Sequence, residues 1–151
     1  MRYYMLNKPS GVVTAVSDAK DKTVMDCFPE DIRPGLFPIG RLDKDTEGLL
    51  LITDDGDFAF RMLRPEFGVA KRYFFRAFGE ISEEKIKKLE TGGNLYGNGE
   101  KARPAFLSDI TLSTVEHDLE HISEKERAHC AKNPKGATFS AVITVTEGKR
   151  H

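Results

Sequence analysis

The residues best suited to chemistry in this chain lie in one acidic run, GRLDKDTEGLLLITDDG, which occupies positions 40–56. Its acidic residues surround a short apolar stretch, Leu49–Ile52, and a glycine stands at each end of the run. A carboxylate can bind a cation, form part of a solvent-exposed turn, or act on a substrate as nucleophile or base. The carboxylates in question are Asp43, Asp45, Glu47, Asp54 and Asp55.

A calcium loop is the first interpretation, because Asp43, Asp45 and Glu47 alternate as in a helix–loop–helix calcium site. Three features oppose it. Asp54 occupies the twelfth position, where a longer bidentate glutamate is usual, and Leu51 stands where a further ligand is expected. The preceding residues GLFPIGR contain proline and glycine, although the motif needs an entering helix there.

Solvation of two turns around a buried strand is the second interpretation, and it suits most of these acidic residues, since loops and helix caps favour them. Asp43 differs from the others. Leu42 before it is an apolar residue expected to point inward, and the hydroxyl of Thr46 after it can fix the loop locally. Residue types alone leave a solvated Asp43 and a substrate-facing Asp43 both open.

The composition is that of one ordinary globular domain: of 151 residues, 39% are apolar and 31% are charged. No apolar run is long enough to span a bilayer and no signal-peptide pattern opens the chain, so a cytoplasmic protein without membrane partners is predicted. The net charge of −1 gives no global signature of nucleic-acid binding. A polyanion must therefore bind a local basic surface. The candidate residues are Arg61, Arg64, Lys71, Arg72 and Arg76.

A metal cluster of His117, His121, His129 and Cys130 is also considered, because the first two histidines are one helical turn apart. The segment has no second nearby cysteine and almost no apolar periodicity, so a solvated surface segment is preferred and no metal is predicted. Cys27 and Cys130 are far apart and are interpreted as incidental thiols of a reducing compartment.

Hydrophobic patterns and turn residues predict an α+β fold, with a mixed, mainly antiparallel β-sheet and short helices packed on it. The first two strands are expected to pair as a hairpin, and the polar residues 116–136 are expected to form a surface excursion that is partly helical or mobile. The predicted strands are Tyr3–Leu6, Val12–Val16, Leu49–Thr53, Lys71–Gly79, Ala105–Leu112 and Ala137–Val145. Three helices are predicted. Thr23 caps Val24–Phe28, and Ser82 caps a helix through Glu90 that Gly92 stops. Asp55 or Gly56 begins a helix at Asp57–Leu63, which is expected to bury Phe58 or Phe60 with Met62 and Leu63.

Four motifs occur in the order found in pseudouridine synthases of the ribosomal RNA-modifying branch typified by the small-subunit (16S) enzyme. The run at 40–56 resembles the catalytic motif of that family. LNKPSGVV at Leu6–Val13 resembles its first motif, KRY at Lys71–Tyr73 its lysine-x-tyrosine motif, and VTEGKRH at Val145–His151 the opening of its last motif. The resemblance implies that residues 1–151 form the catalytic domain of a cofactor-independent isomerase. The substrate that the resemblance implies is a uridine of ribosomal RNA, with the small-subunit RNA favoured.

The resemblance also implies site residues. Asp43 corresponds to the essential carboxylate, which attacks the ribose C1′ or takes a ribose proton; the two routes stay open. Tyr73 corresponds to the tyrosine that packs on the uracil and helps to remove the proton from C5. Arg41 and Lys71 are the implied RNA contacts, at the extruded base and at a phosphate or pocket edge, and Lys8 with Pro9 is implied to be structural.

Two departures from the family pattern qualify this reading. The chain starts at the catalytic domain, without the small RNA-binding domain usual in this branch, and it stops before the Gln-x-Arg-Arg whose arginine pairs with the catalytic aspartate. Lys149 and Arg150 precede that arginine and do not replace it. A fragment is therefore expected. It is predicted to be a monomer and to act on ribosomal RNA or an assembly intermediate. A catalytically impaired RNA-binding fragment is the alternative.

Overall fold

The computed structural model describes residues 1–93, 99, 101–130 and 136–146, apart from the side chains of residues 128–130. The chain forms two compact units, one within Met1–Val69 and one within Ala70–Glu147. Each has a three-stranded antiparallel sheet and short helices, so the α+β class is confirmed and the antiparallel pairing is divided over two sheets. Within the described residues, no helix has the length and apolarity that crossing a membrane requires.

The sheet of the first unit has the order β1-β3-β2, with β1 at Tyr3–Lys8, β2 at Phe37–Ile39 and β3 at Gly48–Thr53. The central strand β3 buries Leu50 and Ile52 in the core, as its apolar run predicts. The other buried members of this core cluster come from the segments between the strands. They are Val24, Met25 and Leu36.

The predicted hairpin of the first two strands is wrong. β1 pairs antiparallel with β3, in a register that places Lys8 opposite Gly48. Val12–Val16 forms no strand, and within it Val13 makes an isolated parallel bridge to Thr23. The reason is packing: alternate residues of β1, Tyr4 and Leu6, contact the core cluster around β3, so burial favours the distant partner over the local one.

The helices of the first unit begin at the predicted caps. Thr23 caps a short 3-10 helix, Val24–Cys27, and its hydroxyl accepts a hydrogen bond from the Met25 N–H. Helix α1 spans Gly56–Leu63 and is capped by Asp55, whose side chain accepts from the Phe58 N–H. Leu63 is exposed, contrary to the prediction that it is buried, because the helix presents Ala59 to the core.

The sheet of the second unit has the order β4-β6-β5, with β4 at Lys71–Phe78, β5 at Phe106–Thr114 and β6 at Ala137–Val145. All three strands were predicted, β6 with its bounds. The alternation along β6 buries Phe139 and Ala141. Helix α2, Glu83–Thr91, has Ser82 at its N-cap and Gly92 at its C-cap, which confirms the helix read from those two residues.

The polar excursion is partly helical, as predicted, with a 3-10 helix at Leu119–His121 and helix α3 at Glu124–Cys130. Asp118 ties it to the sheet: one carboxylate oxygen accepts from the Thr138 hydroxyl at 2.6 Å and the other from the Ser113 hydroxyl at 3.0 Å. These hydrogen bonds, the one from Thr138 above all, hold the pKa of Asp118 below its usual value.

Asp118→Asn is therefore expected to lower the free energy of unfolding by about 1.5–3 kcal/mol at pH 7, the scale of hydrogen bonds to a charged group. A carboxyl whose pKa is lowered by folding stabilises the fold above its unfolded-state pKa of about 3.9, and that contribution disappears as the pH falls through the folded-state value. The gap between wild type and variant in urea unfolding should narrow below about pH 4. A gap that stays constant down to pH 2, or one equalled by the exposed control Glu120→Gln, contradicts this account.

Candidate active site

The loop that carries Asp43 joins β2 to β3 and contains a tight turn. The Thr46 N–H donates to the Asp43 carbonyl at 3.0 Å and closes the turn. The side chain of Asp43 is exposed, and within the described part of the chain its carboxylate has no hydrogen-bond or ion-pair partner. An aspartate in the first position of such a turn commonly bonds its own backbone. Here the carboxylate stays available.

Lys8 stabilises this turn through hydrogen bonds to its backbone. It is 0% exposed, and its Nζ donates to the carbonyls of Pro9 at 3.0 Å, Lys44 at 2.9 Å and Thr46 at 2.7 Å. An ammonium has three N–H donors, so each has an acceptor. Burying a charge is costly unless it is fully hydrogen-bonded. The last residue of β1 is therefore bonded to the backbone on the C-terminal side of Asp43.

Thr14 holds the residue on the N-terminal side. Its hydroxyl donates to the Leu42 carbonyl at 2.8 Å and accepts from the Leu42 N–H at 3.1 Å. Leu42 also packs against the core cluster of the first unit, as its apolar type predicts. The Gly11 N–H adds a bond of 2.9 Å to the Lys44 carbonyl. Asp43 is thus fixed at the backbone on both sides while its carboxylate faces out.

These contacts show that the first motif, LNKPSGVV, stabilises the loop of the acidic run at positions 40–56. Its lysine and glycine bond directly to the loop that presents Asp43. Lys8 was predicted to be structural, on resemblance. Thr14 was missed, because a threonine after a run of valines carries no local sign that it will bond a residue 28 positions later in the chain.

Arg41 lies between β2 and the turn and is exposed. Among the residues that the structure describes, its guanidinium has no ion-pair partner. Arg41 and Asp43 are two positions apart in the same loop of the first unit, so a basic and an acidic side chain are both presented to solvent from one short segment.

Lys71 and Tyr73 lie in the second unit, two residues apart on β4, and therefore on the same face of the strand. The Lys71 Nζ is buried and has no hydrogen-bond partner within the described ranges. Such an ammonium is costly to leave unpaired, so it favours an incoming anion. Tyr73 is 37% exposed, and burial raises the pKa of its hydroxyl above the ordinary value of 10.0. The hydroxyl is therefore protonated at neutral pH.

The four predicted site residues are thus divided between the units: Arg41 and Asp43 in the first, Lys71 and Tyr73 in the second. The approach of Tyr73 to Asp43 stays a prediction. Residues 147–151, which hold most of the last predicted motif with Lys149 and Arg150, lie outside the described residues.

The secondary structure on either side of the loop contradicts the calcium interpretation. A strand, Phe37–Ile39, precedes it and a strand, Gly48–Thr53, follows it, whereas the motif needs two helices. Among the described residues no group of three or more histidine, cysteine or acidic side chains is placed to hold a metal ion. The side chains of His129 and Cys130 lie outside that description.

Comparisons with known proteins show which family this chain resembles. A family described as RNA pseudouridylate synthase matches residues 2–151. A Bacillus subtilis protein named as an RNA pseudouridine synthase, YtzG, is 41% identical over 150 residues, which cover 99% of this chain and 53% of that protein. The ribosomal large subunit pseudouridine synthase B of Bacillus subtilis is 42% identical over 107 residues, covering 70% of this chain and 44% of its own.

The ribosomal small subunit pseudouridine synthase A of Pseudomonas aeruginosa is 41% identical over 109 residues, covering 72% of this chain and 47% of that protein. A solved structure described as a crystal structure of pseudouridylate synthase superposes with a TM-score of 0.69 at 28% identity, over 99% of this chain and 53% of the other. The chain spans about half the length of the curated relatives it matches.

Proposed function

Because the chain belongs to the RNA pseudouridylate synthase family, we propose that it isomerises a uridine of ribosomal RNA to pseudouridine, with Asp43 as the catalytic carboxylate. The observation that carries the proposal is the turn at Asp43. Lys8 and Thr14 fix the backbone on both sides of it, and its carboxylate stays exposed and unpaired among the described residues. Catalysis needs such a placement, because a reactive group must be held in position before substrate arrives.

The chemistry sets what the site must do. The bond between N1 of uracil and C1′ of ribose breaks, the base turns, and C5 bonds to C1′ in its place. The proton on C5 leaves and N1 gains one, so the atoms balance without a cofactor. An ionised carboxylate suits the step at the sugar, either as a nucleophile toward C1′ or as a base toward a ribose proton. Both routes remain within the proposal.

The uridine must leave the RNA stack, because C1′ and C5 of a stacked base are closed to a protein pocket. Tyr73 is proposed to pack on the extruded uracil, and Arg41 to contact the RNA beside it. Lys71 is proposed to bind a backbone phosphate, since its buried Nζ, which has no hydrogen-bond partner among the described residues, favours an anion.

Tyr73→Ala is expected to raise KM for the RNA substrate by about tenfold or more, because stacking of a base on an aromatic ring contributes about 1–3 kcal/mol. Tyr73→Phe keeps the ring and should keep KM near that of the wild type. Its kcat reports separately on the hydroxyl, the group proposed to help remove the C5 proton. Steady-state kinetics on one RNA fragment measures both. Equal KM values for wild type, Tyr73→Phe and Tyr73→Ala contradict the packing role.

The target RNA is proposed to be ribosomal, and the small-subunit RNA predicted from the sequence is carried forward. Relatives named for the large and the small subunit match at 42% and 41% identity, so the test must offer both. The chain is incubated with unmodified RNA of each subunit, and pseudouridine is mapped by carbodiimide-dependent stops of reverse transcription. A new stop in small-subunit RNA is the expected result. RNA binding without any stop supports the alternative of a binding-only fragment.

A further inference from the structure

The second unit presents aromatic and arginine side chains together on one sheet face. Residues of β4 two apart share a face, and the Arg76 guanidinium lies 4.9 Å from the centre of the Phe74 ring, which confirms the shared side. Phe106 of β5 and Arg72 of β4 both stand opposite Thr144 of β6, so Phe106 joins the same face. We call this the aromatic face. It consists of Arg72, Phe74, Arg76, Phe78 and Phe106.

We infer that the aromatic face binds a single-stranded segment of the RNA substrate that flanks the target uridine. The three rings are far more exposed than packed rings are, at 58% for Phe74, 46% for Phe78 and 53% for Phe106. Neighbouring apolar side chains exposed on one face mark a contact surface rather than scattered surface residues.

The alternation of rings and guanidinium groups indicates which kind of ligand the aromatic face binds. Aromatic rings stack on unpaired bases, and arginines bind the phosphates between them. Residues four apart on a strand are separated by about 13 Å, so Phe74 and Phe78 offer two separate stacking positions along β4. Among the described residues neither Arg72 nor Arg76 has an ion-pair partner, and an apolar protein partner would have to bury both charges unpaired. Single-stranded RNA supplies the negative charge and the flat rings together.

A cavity of about 200 Å³ lies at one end of the aromatic face. Its lining includes Phe74, Arg76 and Phe78 of β4, and His121, Ile122 and Glu126 of the polar excursion. The Glu126 carboxylate already accepts hydrogen bonds from the backbone N–H and the hydroxyl of Ser123. This volume is below the roughly 300 Å³ of pockets for drug-sized ligands and suits one flat ring. Asp118 also lines it, but its oxygens already accept from Thr138 and Ser113.

The position of β4 connects this surface to the proposed chemistry. β4 is an edge strand of its sheet, and its opposite face carries Lys71 and Tyr73. One strand can therefore bind the target nucleotide on one face and its neighbours on the other, with the RNA passing around the edge. RNA as the occupant rests on the proposed function, while the arrangement of side chains does not.

The test measures binding of fluorescein-labelled single-stranded oligouridine by anisotropy, in the Asp43→Asn background so that no conversion occurs. Phe74→Leu keeps an apolar side chain but removes the flat ring, and it is expected to weaken binding about tenfold. Phe74→Tyr keeps the ring and should restore it. Arg72→Gln with Arg76→Gln should make log K about 1.4 units less steep against log salt, since each phosphate contact on a single strand contributes about 0.7.

Leu112→Ala is the matched control, because Leu112 is 72% exposed on β5 and pairs with the register position of Phe139, on the opposite face. It should bind like the parent, and duplex RNA of the same length should bind the parent, Phe74→Leu and Leu112→Ala equally. The inference is overturned if oligouridine does not bind, if Phe74→Leu and Leu112→Ala bind alike, or if Phe74→Leu instead abolishes a concentration-dependent dimer. Isomerase activity is measured separately on the chain that keeps Asp43. Weaker binding by Phe74→Leu together with no activity of that chain supports this surface and contradicts the proposed function. Activity of that chain together with unchanged binding by Phe74→Leu supports the proposed function and contradicts this surface.

Discussion

Asp43→Asn is expected to lower the rate of pseudouridine formation by about a thousandfold, within the range that a positioned acid, base or nucleophile contributes. The amide keeps the shape of the side chain but removes its charge and most of its basicity. Digestion of the treated RNA to nucleosides, followed by chromatographic separation of uridine and pseudouridine, gives the rate directly.

The same substitution should leave folding unchanged. The Asp43 side chain is exposed and has no partner in the described part of the chain, so a surface-sized effect within about 0.5 kcal/mol is expected in urea unfolding. Asp45→Asn is the matched control, since Asp45 is an exposed aspartate of the same turn. Activity that falls equally in both variants would show that the charge of the loop matters and that Asp43 holds no special role.

Lys8→Met is expected to lower the free energy of unfolding of the first unit by about 3 kcal/mol or more. Methionine fills much of the space but removes the Nζ donor from the carbonyls of Pro9, Lys44 and Thr46. The Lys44 carbonyl keeps its hydrogen bond from the Gly11 N–H, and the other two lose the ammonium. Each buried polar group left unpaired costs about 1–3 kcal/mol. A domain of this size is stable by only about 5–15 kcal/mol in total, so the loss should be plain in a urea titration.

The loop that positions Asp43 should also become less stable in Lys8→Met. Hydrogen exchange at the Gly11 and Thr46 amides, whose bonds to the loop backbone lie beside the Lys8 contacts, should accelerate in Lys8→Met. Lys44→Met is the control, because the Lys44 ammonium makes a surface ion pair of 2.8 Å with Asp21, worth less than about 1 kcal/mol. Unchanged exchange and an unchanged urea midpoint in Lys8→Met contradict the role given to this lysine.

Local signals in the sequence predicted much of the fold. The alternation along Ala137–Val145 defined β6, and Ser82 with Gly92 marked the ends of α2. Non-local pairings were harder. The turn after Lys8 suggests a hairpin, and nothing near β1 shows that its partner is β3, more than 40 residues away. That choice depends on burying Tyr4 and Leu6 against a core assembled from the whole first unit.

The candidate site shows the same division. The resemblance of the acidic run singled out Asp43, but neither the run nor its pattern indicates how the loop is held. A lysine at the end of a strand is usually a solvated residue. Only the fold brings the Lys44 and Thr46 carbonyls to the Lys8 Nζ, and only the fold places the Thr14 hydroxyl on the backbone of Leu42.

The most direct test of Asp43 as the catalytic carboxylate uses ribosomal RNA with tritium at C5 of its uridines, because the C5 hydrogen must leave when C5 bonds to C1′. The chain is predicted to release tritium to solvent until a plateau of one equivalent per RNA molecule. Asp43→Asn should release none in the same time, and Asp45→Asn should release as much as the parent. Release that persists undiminished in Asp43→Asn would contradict the central claim.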